Sequence, residues 1–334
     1  MASLYIVEQG ATLRKESNRL VVERDGAALA EIHDFKLDRV VIFGNVQLTT
    51  PAIWFLLESG IDTAFLSASG KLRGRLAPLE SKNVPLRLRQ YECTQDAGFA
   101  RRMASAIVAG KIANCIAVLS RHQRNHPECA LEAEIAQLNS YLKKAARGES
   151  AHSLDSLRGV EGQAAAVYFQ GFARTLRRRM QFTKRTRRPP ADPVNALLSF
   201  GYTLLYNEAI SALSSAGFDP YLGFYHALHY GRCSLALDLM EEMRPLVADR
   251  LATQMVNLEI VKPDDFRREQ SGVLLGDGAR KRFFREYERI VNAEFAHRQT
   301  GVRTTLRRAL HDQAQALQRA LMQGEAYRAF QGWN

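Results

Sequence analysis

The chain has 334 residues, 46% of them hydrophobic and 24% charged, a composition expected of a water-soluble globular protein with room for two cores. Its formal net charge of +11 makes an acidic partner more natural than a basic or neutral one. No apolar run is expected to span a bilayer, and Met1–Glu8 lacks the pattern of a secretory signal. The cysteines (Cys93, Cys115, Cys129, Cys233) lack zinc-type spacing, so reduced thiols and a cytoplasmic location are expected.

Residues 1–85 contain ten Lys/Arg and ten Asp/Glu, so the whole positive excess lies beyond Pro85. This neutral stretch is predicted to be mostly strand: Leu4–Val7, Arg19–Val22, Leu29–Ile32, Val40–Phe43 and Thr63–Leu66, separated by turn signals such as Asp25-Gly26 and Ser69-Gly70. One helix is predicted from Thr50-Pro51 to Ser59-Gly60, with Ile53, Leu56 and Leu57 on one face. The pattern turns helical from Arg87. Helices are predicted over 97–121, 131–146, 162–180, 193–215, 235–258 with a kink at Pro245, 280–299 and 304–322. The fold class is therefore α+β. A small N-terminal β-sandwich or β-roll domain (1–85) precedes an all-α C-terminal catalytic domain (86–334). The first would serve protein contacts, and the second would meet nucleic acid.

Three stretches put ionisable side chains into apolar surroundings: Leu157–Gly162 with Glu161, Pro220–His226 with His226, and Ser234–Pro245 with Asp238 and Glu241. Buried charge is costly unless paired or bound to a metal. Oxygen ligands suit Mg²⁺ or Mn²⁺, and an imidazole favours Mn²⁺. Asp238 and Glu241, three apart, share a helix face, while Glu242 points elsewhere. Each feature also has an ordinary explanation. The acidic pair could be a solvated face, His226 a core histidine with His229 as a competitor, and Glu161 a helix-dipole carboxylate at the start of its helix. Between residues 171 and 190 stand eight basic residues and no acidic one: Arg174, Arg177, Arg178, Arg179, Lys184, Arg185, Arg187 and Arg188, with Phe172 and Phe182 interleaved. Such density is expected of phosphate contacts, or of a solvated loop.

These segments, with Val40–Thr50, Lys111–Asn114 and Arg187–Tyr202, resemble the CRISPR-associated Cas1 endonuclease family, the integrase subunit of the spacer-acquisition complex, over nearly the whole chain. The resemblance implies metal ligands at Glu161, His226 and Glu241, with Asp238 at a further acidic site position. Many relatives carry Asp where this chain has Glu241. It implies attack by the 3′-hydroxyl of a short double-stranded DNA fragment on a phosphodiester of a CRISPR repeat, a homodimer, and a small ferredoxin-like partner. Two other readings share parts of the pattern: a stand-alone metal-dependent DNA or RNA nuclease, and a non-catalytic nucleic-acid-binding protein.

Overall fold

The computed structural model describes residues 2–33, 37–77, 83–146, 153–176, 180, 182–186, 189–270, 272–298 and 301–332. The chain divides into two compact units, Met1–Glu80 and Ser81–Asn334.

The first unit is a sandwich of two four-stranded mixed sheets. One sheet runs β1 (Ala2–Ile6), β5 (Leu37–Phe43), β7 (Asp62–Leu66), β8 (Leu72–Leu76). The other runs β4 (Ala27–His33), β3 (Arg19–Arg24), β2 (Ala11–Glu16), β6 (Val46–Leu48). Strand β5 lies between two parallel neighbours, and its run Val40–Phe43 is buried throughout, as a central strand covered on both faces must be. Leu4, Ile6, Leu13, Leu20, Val40 and Ile42 join the sheets in one core, which Ala52 and Leu56 of α1 (Thr50–Glu58) enter. Strands β2, β6 and β8 add to those expected. Arg14 of β2 pairs with Glu16 and Glu23, Glu16 also pairs with Arg19, and Lys15 stands between them over the Phe55 ring, so the strand's apolar alternation is diluted.

The second unit is mostly helical: α2 (Val84–Gln95), α3 (Ala97–Asn125), α4 (Glu132–Ala146), α5 (Leu154–Thr175), α6 (Pro193–Ala216), α7 (Ser234–Glu241), α8 (Arg250–Asn257), α9 (Asp277–Asn292) and α10 (Leu306–Gln323). Caps set the starts. Asn83, Asp96, Ser153, Asp192 and Thr305 each accept a first-turn backbone N–H of α2, α3, α5, α6 and α10. Two short hairpins interrupt the helices: β9 (Phe266–Glu269) with β10 (Gly272–Leu275), and β11 (Glu294–Ala296) with β12 (Arg303–Thr305). Pro245 does not merely kink one long helix. It opens a π-helical turn, Pro245–Asp249, between α7 and α8, because proline cannot donate the bond that would continue α7. Contrary to the expectation that no apolar run is long enough, α3 is long and apolar enough to cross a bilayer. Its apolar residues instead pack against α4, α5 and α7. Helix α3 is thus a core helix, and it brings α5 and α7 to a common place.

Candidate active site

Helix α7 carries Asp238 and Glu241 one turn apart, with exposures of 1% and 3%. A solvated acidic face is therefore not the explanation of this pair. Asp238 Oδ2 accepts the backbone N–H of Phe224 at 2.6 Å and of Tyr225 at 3.0 Å. Its Oδ1 accepts the N–H of His226 at 2.9 Å and lies 2.7 Å from His226 Nδ1. A carboxylate can only accept, so Nδ1 carries the hydrogen and Nε2 is left as the donor atom toward a ligand. That nitrogen lies 3.7 Å from Glu241 Oε1. Asp238 is therefore occupied in shaping the 224–226 loop and orienting the imidazole. Gly223 permits the loop's approach, since a Cβ there would stand 2.8 Å from Asp238 Oδ2 and 2.9 Å from Ser234 Cβ. Gln90 holds the loop's start, donating to the carbonyls of Asp219 at 2.8 Å and Leu222 at 3.0 Å. Arg158 donates to the carbonyl of Tyr225 at 3.1 Å and so links α5 to the same loop.

Glu161 does not open its helix. Ser153 caps α5, and Glu161 lies about two turns inside, so the helix-dipole explanation fails. Its carboxylate meets Lys111 of α3, whose ammonium also stands 2.7 Å from Glu241 Oε2. Arg244 Nη1 lies 2.8 Å from Glu241 Oε1, and the Arg244 guanidinium also covers the Tyr202 ring at 5.2 Å. Burial alone would push the Glu241 carboxyl up, but chiefly Arg244 and Lys111 hold it below the ordinary glutamate range. Burial likewise works against the Lys111 charge, and Glu241 and Glu161 overcome it and raise the ammonium's pKa. Lys111 and Arg244 stood in the motifs read from sequence without a role. A lone lysine between Gly110 and Ile112 in an apolar run was the signal, of the same kind that marked the acids.

His229 is exposed, with Nδ1 3.0 Å from the Tyr230 carbonyl, outside this cluster. Glu242, fully buried, faces the C-terminal segment. It accepts from Gln313 at 3.1 Å, the Tyr327 hydroxyl at 2.9 Å and the Phe330 N–H at 2.6 Å, and burial pushes its carboxyl up to about 7. Of the basic segment, Lys184 is exposed. Arg174 is exposed but pairs with Glu134 and donates to the Ala130 carbonyl at 2.8 Å. Arg185 donates to Asn195 Oδ1 at 2.8 Å and Ser199 Oγ at 3.0 Å and covers Tyr202 at 5.2 Å. Arg177, Arg178, Arg187 and Arg188 lie outside the described residues.

Among the described residues, no three His, Cys, Asp or Glu side chains stand around one point as metal ligands. Lys111 gives the physical reason, since its ammonium takes the position between Glu161 and Glu241. The donor chemistry nevertheless fits a divalent ion. Two carboxylates and an imidazole with Nδ1 already engaged belong to one cluster, and buried Glu241 Oε2, though in ion-pair range of Lys111, has no aligned hydrogen bond.

The family model described as "CRISPR associated protein Cas1" matches residues 4–289. The chain is 36% identical over 331 residues to CRISPR-associated endonuclease Cas1 1 of Thermus thermophilus, covering 99% of both. It is 38% identical over 324 residues to a CRISPR-associated exonuclease Cas4/endonuclease Cas1 fusion of Geobacter sulfurreducens, covering 95% of this chain and 58% of the fusion. A chain of a solved Cas6-RT-Cas1–Cas2 complex matches its fold with a TM-score of 0.82 at 29% identity, covering 100% of this chain and 36% of that one. Similarity of sequence and fold along nearly the full length leads to one conclusion: the chain belongs to the CRISPR-associated Cas1 family.

Proposed function

We propose that this chain is the integrase of CRISPR adaptation, joining short double-stranded DNA fragments to the repeats of a CRISPR array. The observation that carries this reading is the cluster of Glu161, Lys111 and His226 around buried Glu241 in a Cas1 family member. Glu161, His226 and Glu241 would hold Mg²⁺ or Mn²⁺. When bound, such an ion supplies charge neutralisation at a phosphoryl oxygen and a lowered hydroxyl pKa. The protein's own contributions are separate from this. Arg244 and Lys111 keep Glu241 ionised, and Asp238 fixes the imidazole so that Nε2 faces Glu241. In the reaction the fragment's 3′-oxygen bonds to phosphorus as the bond to the repeat strand's own 3′-oxygen breaks. The attacking hydroxyl loses a proton and the leaving oxygen gains one. Water in place of the 3′-hydroxyl gives hydrolysis, so one site serves integrase and endonuclease activity.

The basic segment, Arg174, Arg177, Arg178, Lys184, Arg185, Arg187 and Arg188, is assigned to DNA backbone contacts. For Arg174 and Arg185 this requires exchange of internal partners for phosphate. The charge-neutral N-terminal unit is assigned to protein contacts within a homodimer, with a small ferredoxin-like partner completing the assembly. The relative in a Cas1–Cas2 complex supports such a partner. Action on a genomic array places the work in the cytoplasm.

The test is transfer of a labelled duplex with free 3′-hydroxyls into a plasmid carrying a repeat array, in Mn²⁺, with and without the small partner. The wild type should join label to plasmid, most strongly with the partner, and His226→Ala should fall to background with an unchanged circular-dichroism spectrum. Transfer by His226→Ala at the wild-type rate would defeat the proposal, and cleavage without joining would identify a stand-alone nuclease.

A further inference from the structure

We propose that Lys111 is a resident counter-ion of the ligand carboxylates. As a positioning residue, it holds Glu161 and Glu241 together before a divalent ion binds, and the ion must displace it. Lys111 would then set how tightly the site takes metal. The inference rests on the reading of Glu161, His226 and Glu241 as metal donors and adds to it a competitor built into the chain.

The geometry points to Lys111 in particular. Its ammonium reaches both carboxylates, whereas Arg244 pairs with Glu241 through the other oxygen, Oε1. The side chains of Lys111, Glu161 and Glu241 are 12%, 18% and 3% exposed, so little water is present to moderate repulsion between two carboxylates. Removing the shared cation leaves charge that the remaining groups must bear. The lysine's backbone is also anchored. Asn114, one turn further along α3, donates to the carbonyls of Glu242 at 2.7 Å and Phe330 at 2.8 Å, and it accepts the N–H of Gly332 at 2.9 Å. The ammonium can therefore leave only by a swing of its own side chain. A divalent ion bonded to Glu161 Oε1 or Glu241 Oε2 claims an oxygen that the ammonium uses, and two cations on one oxygen repel.

Calorimetric titration with MnCl₂, and melting curves with and without it, on wild type, Lys111→Met, Lys111→Gln and Lys111→Arg would test this. Without Mn²⁺ both neutral variants should melt below wild type. They should bind Mn²⁺ at least about tenfold more tightly, because no positive charge has to be expelled, and their melting points should rise further on its addition. Lys111→Arg keeps the charge and should stay within about threefold of wild type. Lys111→Gln keeps hydrogen-bonding capacity in case Lys111→Met does not fold. Neutral variants that fold only with Mn²⁺ present would support the proposal, since the ion then replaces the ammonium. Wild type that binds Mn²⁺ beside neutral variants that bind it no more tightly, or that stay unfolded in it, would overturn the counter-ion role and leave the metal site standing. Wild type that binds no Mn²⁺ would remove the metal site itself, and this proposal with it.

Discussion

Asp238 shows how one side chain can serve a site without being its ligand. Its two oxygens take three backbone N–H groups and the imidazole nitrogen, so its negative charge is spent on fixing the loop that presents His226. Asp238→Asn keeps the size but replaces one accepting oxygen with a donor. Either the Phe224–Tyr225 backbone loses its acceptor, or the amide donor faces the His226 N–H and Nδ1, so that the hydrogen moves to Nε2 and blocks it. Strand transfer and Mn²⁺ affinity should both fall by about 10–100-fold, the usual cost of losing a partner that orients a metal ligand. Parallel rate and titration measurements check this, and a variant within about twofold of wild type in both would show that His226 needs no such support. From the sequence, spacing placed Asp238 and Glu241 on one face, and apolar company marked them as unusual. Their division of labour was not legible, because it depends on which way the 224–226 loop folds back. Nothing in the third stretch alone reveals the Gly223 contact that permits it.

At the scale of elements, the helices were read best where caps are explicit, as at Asp192-Pro193, and least well where glycines interrupt. Gly159 and Gly162 made 162 look like a start, yet α5 begins at Leu154 and runs through both. Each glycine costs up to about 1 kcal/mol against alanine. Neither faces a neighbour within 4 Å of where a Cβ would be, and packing on α3 and α4 sustains the helix. The first hairpin near the C-terminus was missed because Arg267, Arg268 and Glu269 give β9 little strand character, and the second because β11 falls within the helix expected over 280–299, whereas α9 ends at Asn292. The π-helical turn after Pro245 carries a further consequence. It buries Asp249, which accepts from the Tyr202 hydroxyl at 2.5 Å, and burial raises its carboxyl from 3.8 to about 6 despite that bond. A raised carboxyl gives stability that is full below the unfolded value near 3.8 and is lost as pH rises through about 6. Asp249→Asn does not titrate. Relative to it, wild type should lose about 2 kcal/mol between pH 4 and pH 6.5. Urea denaturation across that range checks this, and parallel stability curves for the two proteins would contradict it.

Across the whole molecule, charge and chemistry are divided between two units. The sandwich of Met1–Glu80 is close to neutral, while the helical unit of Ser81–Asn334 holds the net positive charge and the acidic cluster. Phosphate contacts release counterions, so DNA affinity should fall steeply with salt. Neutralising Arg177, Arg178, Lys184 and Arg188 together should lower the slope of log affinity against log salt by roughly 0.9 for each phosphate no longer neutralised, equally for unrelated duplexes. An unchanged slope would mean that the DNA path lies elsewhere on the helical unit. The sequence disclosed this division through its uneven charge. What it concealed was the placement of Lys111, since only the packing of α3 against α5 and α7 brings that ammonium to two carboxylates distant in the chain. The convergence of Glu161, His226 and Glu241 on one divalent ion is tested most directly by counting bound Mn²⁺ per chain, by calorimetry and by electron paramagnetic resonance, in wild type and four variants. One ion should bind wild type and Glu242→Gln, and it should be lost from Glu161→Gln, His226→Ala and Glu241→Gln. Full Mn²⁺ occupancy in any of those three variants would contradict the site as assigned.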